Sequence, residues 1–357
     1  MDNNKSDSKV KYLPITDSEK DDLEKRIFVS LAKSSKRRRG FRFISGIAAS
    51  IVFISGLGMY YHYNVTKSDE GSIIDYVNTT NKENDPGHTE EVTLILGKGK
   101  ELKINGETSE IQYSSSGEKI VLGATKTVNQ ETVDKNEVVY NTLMVPFGRR
   151  LKTELSDGSV VWLNSGSKLV YPVVFKSDKR EVYLEGEAIF EVAHNKKKPF
   201  HVISENQVVE VLGTVFAVTN YKDENSINTV LKSGSVQISY LSGTSASEVA
   251  DKIKITPGTK ASFDKETKGI VSEKVDVDTY FSWREGLLIF KNNNLPYIMK
   301  RISRYYNMEV AIGDEAQKEE TFSGYLDLKD DIGKVMETIK ESTDLEYEVN
   351  ETTITIK

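Results

Sequence analysis

Between Phe43 and Tyr61 the chain reads FISGIAASIVFISGLGMYY, an apolar run without a charged side chain. A helix needs about 20 such residues to cross the roughly 30 Å hydrocarbon core of a bilayer. Lys36, Arg37, Arg38, Arg39 and Arg42 stand just before the run, and Phe41, Phe43, Tyr60, Tyr61 and Tyr63 bracket it. Basic residues stay on the cytoplasmic side and aromatic rings favour the interfaces. The pattern therefore predicts a single transmembrane helix over 40–63, a cytoplasmic tail over 1–39, and export of everything after Asn64. A cleaved signal peptide would have a shorter apolar core nearer the start and a small-residue exit; Gly58, Met59 and Tyr60 provide no such exit.

The flanks have periods of their own. In the tail, Thr16 and Glu19 have the spacing of a capping box, and Leu23, Ile27 and Leu31 follow at i, i+4, i+8 with Phe28 beside them. Asp21, Asp22, Glu24 and Lys25 occupy the other face, so a short amphipathic helix is expected outside any domain able to bury its stripe. It either extends the membrane span, lies on the lipid headgroups, or docks its apolar face into the groove of a partner. Residues 64–89 read as a polar linker. From Val92 the period changes to two: Val92, Leu94 and Leu96 alternate, as do Leu102 and Ile104. Short strands with turn signals such as Asp157-Gly158 and Pro257-Gly258 continue to about Asp276. This is the pattern of an all-β domain over 90–277, a sandwich, barrel or solenoid.

Beyond Trp283 helices return. Leu295–Tyr306 places Ile298, Ile302 and Tyr305 on one face, and Ile332, Val335, Met336 and Ile339 form a second helical stripe. With the intervening strands the order is β-α-β-β-α-β-β, a small α+β domain over 283–357. Its last strands, Leu345–Val349 and Thr352–Ile356, are expected to offer a free edge to a partner strand.

Composition changes this picture mainly by exclusion. The chain has 357 residues, a net charge of −6 and no cysteine. Disulfides, thiolate catalysis and cysteine metal sites are thus ruled out, and net acidity gives no reason to expect direct nucleic-acid binding. His62, His88, His194 and His201 have no metal-pair spacing, so neither metal nor cofactor is expected. Ser165-x-x-Lys168, Ser204-x-Asn206 and Lys232-Ser233-Gly234 loosely match the motifs of penicillin-recognising enzymes. That chemistry needs its serine at the start of a buried helix, whereas Ser165 follows a strand, so an enzyme is not expected. His194 and His201 flank a lysine run and are expected on a loop and a strand.

The β segment carries a more specific text: PFG, LSDGSVVWLNSGSKLVYP, REVYLEGEAIFEV, KKPFHV, VEVLGTVFAV and PGTKASF, over roughly 146–263. In it Gly158, Trp162, Asn164, Tyr171, Pro172, Gly186, Glu187, Phe190, Pro199 and Phe200 fall where the FecR family of membrane-anchored anti-sigma factors has them. The segment from Trp283 resembles the domain appended to many such proteins, similar in layout to the short N-terminal domain of secretins and TonB-dependent receptors. Two departures stand out: Ala217 occupies a position where the family often has Asn, and the tail lacks the tryptophans common in relatives.

The resemblance implies a relay across the inner membrane. The signalling domain of a TonB-dependent outer-membrane receptor would contact the periplasmic domains. The tail, through Leu23, Ile27, Phe28 and Leu31, would hold an extracytoplasmic-function sigma factor. The resemblance also raises self-cleavage at Gly213-Thr214, where the threonine hydroxyl would attack the preceding carbonyl. A β-bulge glycine followed by an ordinary strand threonine is the favoured reading of that pair. A membrane-anchored periplasmic glycan- or envelope-binding protein, with Trp162 and Trp283 stacking on sugars, and a tether in a secretin-like assembly are the alternatives.

Overall fold

The structure, a computed structural model, describes residues 16–31, 53–60, 72–80, 86, 90–104, 110–124, 126–130, 138–241, 249–313, 318–343 and 345–357. The chain divides into two units at Asp69/Glu70. In the first, residues 17–31 are helical. Glu19 opens this helix by accepting from the Thr16 N–H (3.1 Å) and hydroxyl (2.9 Å), the return arm of a capping box. Of the apolar run, residues 53–60 are described, and they are helical. No helix among the described residues is long and apolar enough to cross a membrane.

The second unit starts with a helix, Ile73–Thr80, inside the stretch expected to be a linker. Ile73 and Val77 are buried against Val170 and Ile203, and the Tyr76 and Tyr140 rings lie 5.1 Å apart. The sequence hid this helix because its apolar stripe is only two residues deep, and its burial depends on a sheet surface that only folding creates.

Eighteen strands follow: β1 (Val92–Ile95), β2 (Glu101–Ile104), β3 (Glu110–Tyr113), β4 (Lys119–Leu122), β5 (Lys126–Asn129), β6 (Tyr140–Val145), β7 (Leu151–Glu154), β8 (Val160–Leu163), β9 (Ser167–Pro172), β10 (Arg180–Glu191), β11 (Phe200–Ser204), β12 (Gln207–Val211), β13 (Val215–Asn220), β14 (Ser226–Ser233), β15 (Val236–Leu241), β16 (Val249–Ile255), β17 (Thr259–Asp264) and β18 (Ile270–Lys274). They form two strand ladders sharing β10. One runs β2-β1-β6-β9-β10-β11-β12-β15-β16. The other runs β5-β4-β3-β7-β8-β10-β13-β14-β17-β18. Inward residues of both, among them Leu143, Val161, Phe190, Phe200 and Phe216, merge into one apolar core. This is the all-β architecture that the alternating pattern predicts.

β10 crosses from one ladder to the other at Gly186. Its first half, Arg180–Glu185, pairs with β9 and β11, and its second, Gly186–Glu191, with β8 and β13. Gly186 has φ +98°, and a Cβ there would lie 2.7 Å from the Ser167 Cα. Only glycine satisfies both the left-handed backbone and the close approach.

The C-terminal domain has the expected order. β19 (Leu287–Asn294), a helix (Leu295–Tyr306), β20 (Glu309–Ile312), β21 (Thr321–Asp327), a second helix (Ile332–Ser342), β22 (Tyr347–Val349) and β23 (Thr353–Ile356) enclose a separate apolar core. One expectation is overturned. β23 is not an edge: it lies between β20, to which it is parallel, and β22. Neighbours in sequence set the β22–β23 hairpin, but the crossover through the second helix brings β20 to the other side of β23. The edge at this end of the chain is the three-residue β22.

Candidate functional site

The most heavily built polar site lies where the β domain meets the C-terminal domain, and the helix Leu295–Tyr306 makes it. Asn294 caps that helix by accepting the Tyr297 N–H (3.1 Å), Pro296 sits in its first turn, and Asn307 ends it at φ +55°. Leu295, Ile298, Met299 and Ile302 turn into the C-terminal core. On a helix of 3.6 residues per turn, Lys300, Arg301 and Arg304 fall on a second stripe. This stripe meets acidic and polar side chains of the β domain.

Arg301 reaches Glu187 in the second half of β10. Its Nη1 lies 3.3 Å from Oε1 and 3.2 Å from Oε2. The Glu187 side chain is 2% exposed, and it also accepts from Asn164 Nδ2 (2.7 Å) and the Thr219 hydroxyl (3.3 Å). Asn164 holds the carboxylate from the β8–β9 turn, while the Ser167 hydroxyl ties down the Glu187 backbone from both sides. Burial by itself would lower the Arg301 pKa, but the Glu187 carboxylate more than reverses this and holds it well above its ordinary value.

Arg304 makes the second contact. Its guanidinium stacks 3.6 Å from the centre of the Tyr221 ring, pairs with Asp223 through Nη2 (2.7 Å), and pairs with Glu224 through Nη1. Lys300 adds a pair to Asp223 (2.9 Å). Burial pushes the Asp223 pKa up, but Lys300 and Arg304 outweigh it and hold it below its ordinary value. Burial, and then the Glu187 charge, push the Tyr221 hydroxyl far up, and it donates to the Ser165 carbonyl (2.8 Å). The Arg304 carbonyl accepts the Gly148 N–H (2.8 Å). On the other flank Arg150 donates to the Trp283 carbonyl and, at 2.9 Å, to the Tyr305 hydroxyl, while Arg284 pairs with Glu191 (3.0 Å). Phe281 and Trp283 close the apolar part of the seam against Ile189, Ala217 and Val230.

The residues singled out from the sequence divide accordingly. Asn164 and Glu187 belong to the seam. Trp162 is half-buried in the apolar cluster that contains Trp283, with the Lys152 ammonium 5.6 Å from its ring. Tyr171, Pro172, Phe190 and Phe200 are buried; the Tyr171 and Tyr113 hydroxyls share a hydrogen bond (2.7 Å), and Phe190 stacks on Phe216. Gly158 forms the β7–β8 turn at φ +80°, and the Pro199 carbonyl accepts the Arg180 N–H (2.7 Å). Gly213 has no room for a Cβ, which would lie 2.4 Å from His194 Nδ1, and the buried Thr214 hydroxyl donates to the Ser235 carbonyl (3.1 Å). A register shift lies next to them, between Val215 and Phe216. Ser165 donates its hydroxyl to the Arg149 carbonyl, and Lys168 pairs with Glu185. In the tail helix Leu23, Ile27, Phe28 and Leu31 are 48–69% exposed.

Sequence reasoning missed Arg301, Arg304, Asp223, Glu224 and Arg150. A signal was present: three cations at i, i+1 and i+4 on a helix that already has a separate apolar stripe, and the acidic pair Asp223-Glu224 at a β-turn.

Two crystal structures of a proposed anti-sigma factor from Parabacteroides distasonis ATCC 8503 resemble the chain. One is 26% identical with a TM-score of 0.54, covering 60% of this chain and 98% of that one. The other is 25% identical with a TM-score of 0.54, covering 61% and 98%. No curated protein matches. The sequence pattern described as "FecR protein" matches residues 141–237, which include Asn164, Glu187, Asp223 and Glu224, and "FecR, C-terminal" matches residues 287–356, which include Arg301 and Arg304. The seam thus joins the two matched segments, and the chain carries a FecR domain at 141–237 followed by a FecR C-terminal domain at 287–356.

Proposed function

We propose that this protein is an anti-sigma signal transducer of the inner membrane. Residues 1–39 hold an extracytoplasmic-function sigma factor in the cytoplasm, residues 40–63 cross the membrane, and the two folded domains receive a signal in the periplasm from a TonB-dependent outer-membrane receptor. The observation that carries this reading is the tail helix. A helix that exposes Leu23, Ile27, Phe28 and Leu31 along one stripe is a docking element in want of a groove. The two FecR domain matches and the likeness to a proposed anti-sigma factor supply the class of partner. A glycan receptor would have no use for such a tail. Trp162 and Trp283, the residues that would stack on sugars, sit in the seam cluster instead.

The seam gives the relay a moving part. Buried ion pairs add little net stability over apolar packing, but they fix one geometry and break with a large penalty when one partner is lost. A receptor that engages the C-terminal domain and competes for Arg301 or Arg304 would change how that domain sits on β10.

The test is binding of the tail to its sigma factor, with Ile27→Asp and Leu31→Asp as the perturbation. Each places an unpaired charge in an apolar contact, at a cost of about 2 kcal/mol or more. Co-purification of the sigma factor should fall at least tenfold. Undiminished co-purification with both substitutions present would exclude this helix as the docking element.

A further inference from the structure

The lysine run at 196–198 borders a cleft of about 250 Å³ that the seam does not use. The cleft lies between the β7–β8 turn (Ser156, Asp157), the segment after β9 (Val174, Phe175) and the loop 193–198, with Arg180 of β10 in its wall. Arg180 is 2% exposed. Its Nε donates to the Lys198 carbonyl (2.9 Å), and its Nη1 donates to Asp157 Oδ2 (2.7 Å) and the Ala193 carbonyl (2.8 Å). Its Nη2 is buried and has no hydrogen-bond partner among the described residues, and the guanidinium lies 5.3 Å from the centre of the Phe200 ring. A buried guanidinium rarely leaves a donor unused, because the desolvated N–H costs about 1–3 kcal/mol or more.

Charge around the cleft has one dominant sign. Lys176, Lys179, Arg180, Lys196, Lys197 and Lys198 lie on its wall and flanking segments, against Asp157, Asp178 and Glu181, the last paired with Lys179. The Asp157 carboxylate is already engaged by Arg180 and by the Ser159 N–H and hydroxyl. The chain as a whole is acidic, so this local excess of cations is not a matter of composition. Of these cations Arg180 and Lys198 line the cleft itself; Arg matches planar oxyanions, and exposed Lys on the flanking segments steers them.

We propose that this cleft is a binding site for the oxyanion group, carboxylate or phosphate, of a small molecule, with Arg180 as its anchor and Lys196 and Lys197 as its steering charges. The volume suits one sugar-sized ligand rather than a protein segment. Occupancy would also bear on Gly213-Thr214, because His194 lines the cleft and packs against Gly213, and the Asn195 N–H donates to the Leu212 carbonyl (2.7 Å). The binding step itself does not depend on the relay reading.

Calorimetry on the full chain in detergent, titrated with sodium glucuronate, inorganic phosphate and glucose at low and high salt, tests the site. At least one of the two anions should bind one to one with a Kd below about 1 mM at low salt, and which of them binds tighter identifies the source of the oxyanion. Binding should weaken severalfold at 200 mM salt, where the Debye length is below about 10 Å, and glucose should give no heat. Lys196→Gln with Lys197→Gln, both at exposed positions, should raise the Kd about threefold to tenfold at low salt by removing the steering field. Arg180→Lys, which keeps the charge and loses the fork, should raise it at least tenfold; if that variant does not fold, the lysine pair decides. Absence of heat from both anions with the folded wild-type chain, or Kd values unchanged in the lysine pair, would overturn the assignment.

Discussion

Arg301→Met isolates the central contact of the seam. Methionine retains much of the aliphatic stem and removes the guanidinium, leaving Glu187 buried with Asn164 and Thr219 as its remaining side-chain donors. Breaking a buried pair from one side costs about 3–5 kcal/mol. The two surviving hydrogen bonds still stabilise the carboxylate, so the low end, about 3 kcal/mol, is expected. Glu187→Gln combined with Arg301→Met removes the stranded charge and should recover at least about 1.5 kcal/mol relative to the sum of the single changes. The chain has two tryptophans, Trp162 and Trp283, and both lie in the seam cluster, so urea unfolding followed by tryptophan emission reports on this region. Arg301→Met should shift emission to the red and lower the urea midpoint. Acid provides an independent check. The Asp223 pKa is depressed in the folded state, so its contribution is present above the ordinary value of 3.8 and is lost as pH falls through the lowered value. The red shift should therefore appear on acidification below 3.8 and not between pH 5 and 8. A cost under about 1 kcal/mol for Arg301→Met, or strict additivity in the double variant, would refute the claim that this pair holds the domains in register.

Gly186→Ala should be severely destabilising, by about 3 kcal/mol or more, because it combines a left-handed backbone with a collision against Ser167; a midpoint within error of the wild type in thermal unfolding would show that β10 can bend elsewhere. Alkaline phosphatase fused after Lys357 should be active and fused after Lys36 inactive, and the reverse pattern would invert the assigned topology. A C-terminally tagged chain should run at full length, with Thr214 engaged by the Ser235 carbonyl and Gly213 fixed by packing; a fragment beginning at Thr214 that disappears in Thr214→Ala and persists in Thr214→Ser would establish self-cleavage instead.

Much of this architecture is written in local pattern. Alternation from Val92 onward specifies strands because side chains on a strand repeat every two residues, and the stripes at Ile298–Ile302 and Val335–Ile339 specify helices because theirs repeat every 3.6. The order of the C-terminal elements followed directly. Single positions were legible too where geometry leaves one residue type, as at Gly158 in its turn, whereas the crossing of β10 at Gly186 was not.

Relations between distant segments were not legible. Glu187 and Arg301 are 114 residues apart, and nothing local to either marks the other as its partner. Apart from its match to the family signature, Glu187 is one acidic residue among several in REVYLEGEAIFEV; its burial comes from Asn164, Thr219 and the docked helix. The central place of β23 and the packing of Ile73–Thr80 onto β9 were hidden for the same reason. Periodicity fixes which face of an element is apolar, because that depends on backbone geometry within a few residues. Which surface covers that face, and which charge is matched with which, is decided by chain crossovers that bring remote segments together, and only the tertiary structure contains them.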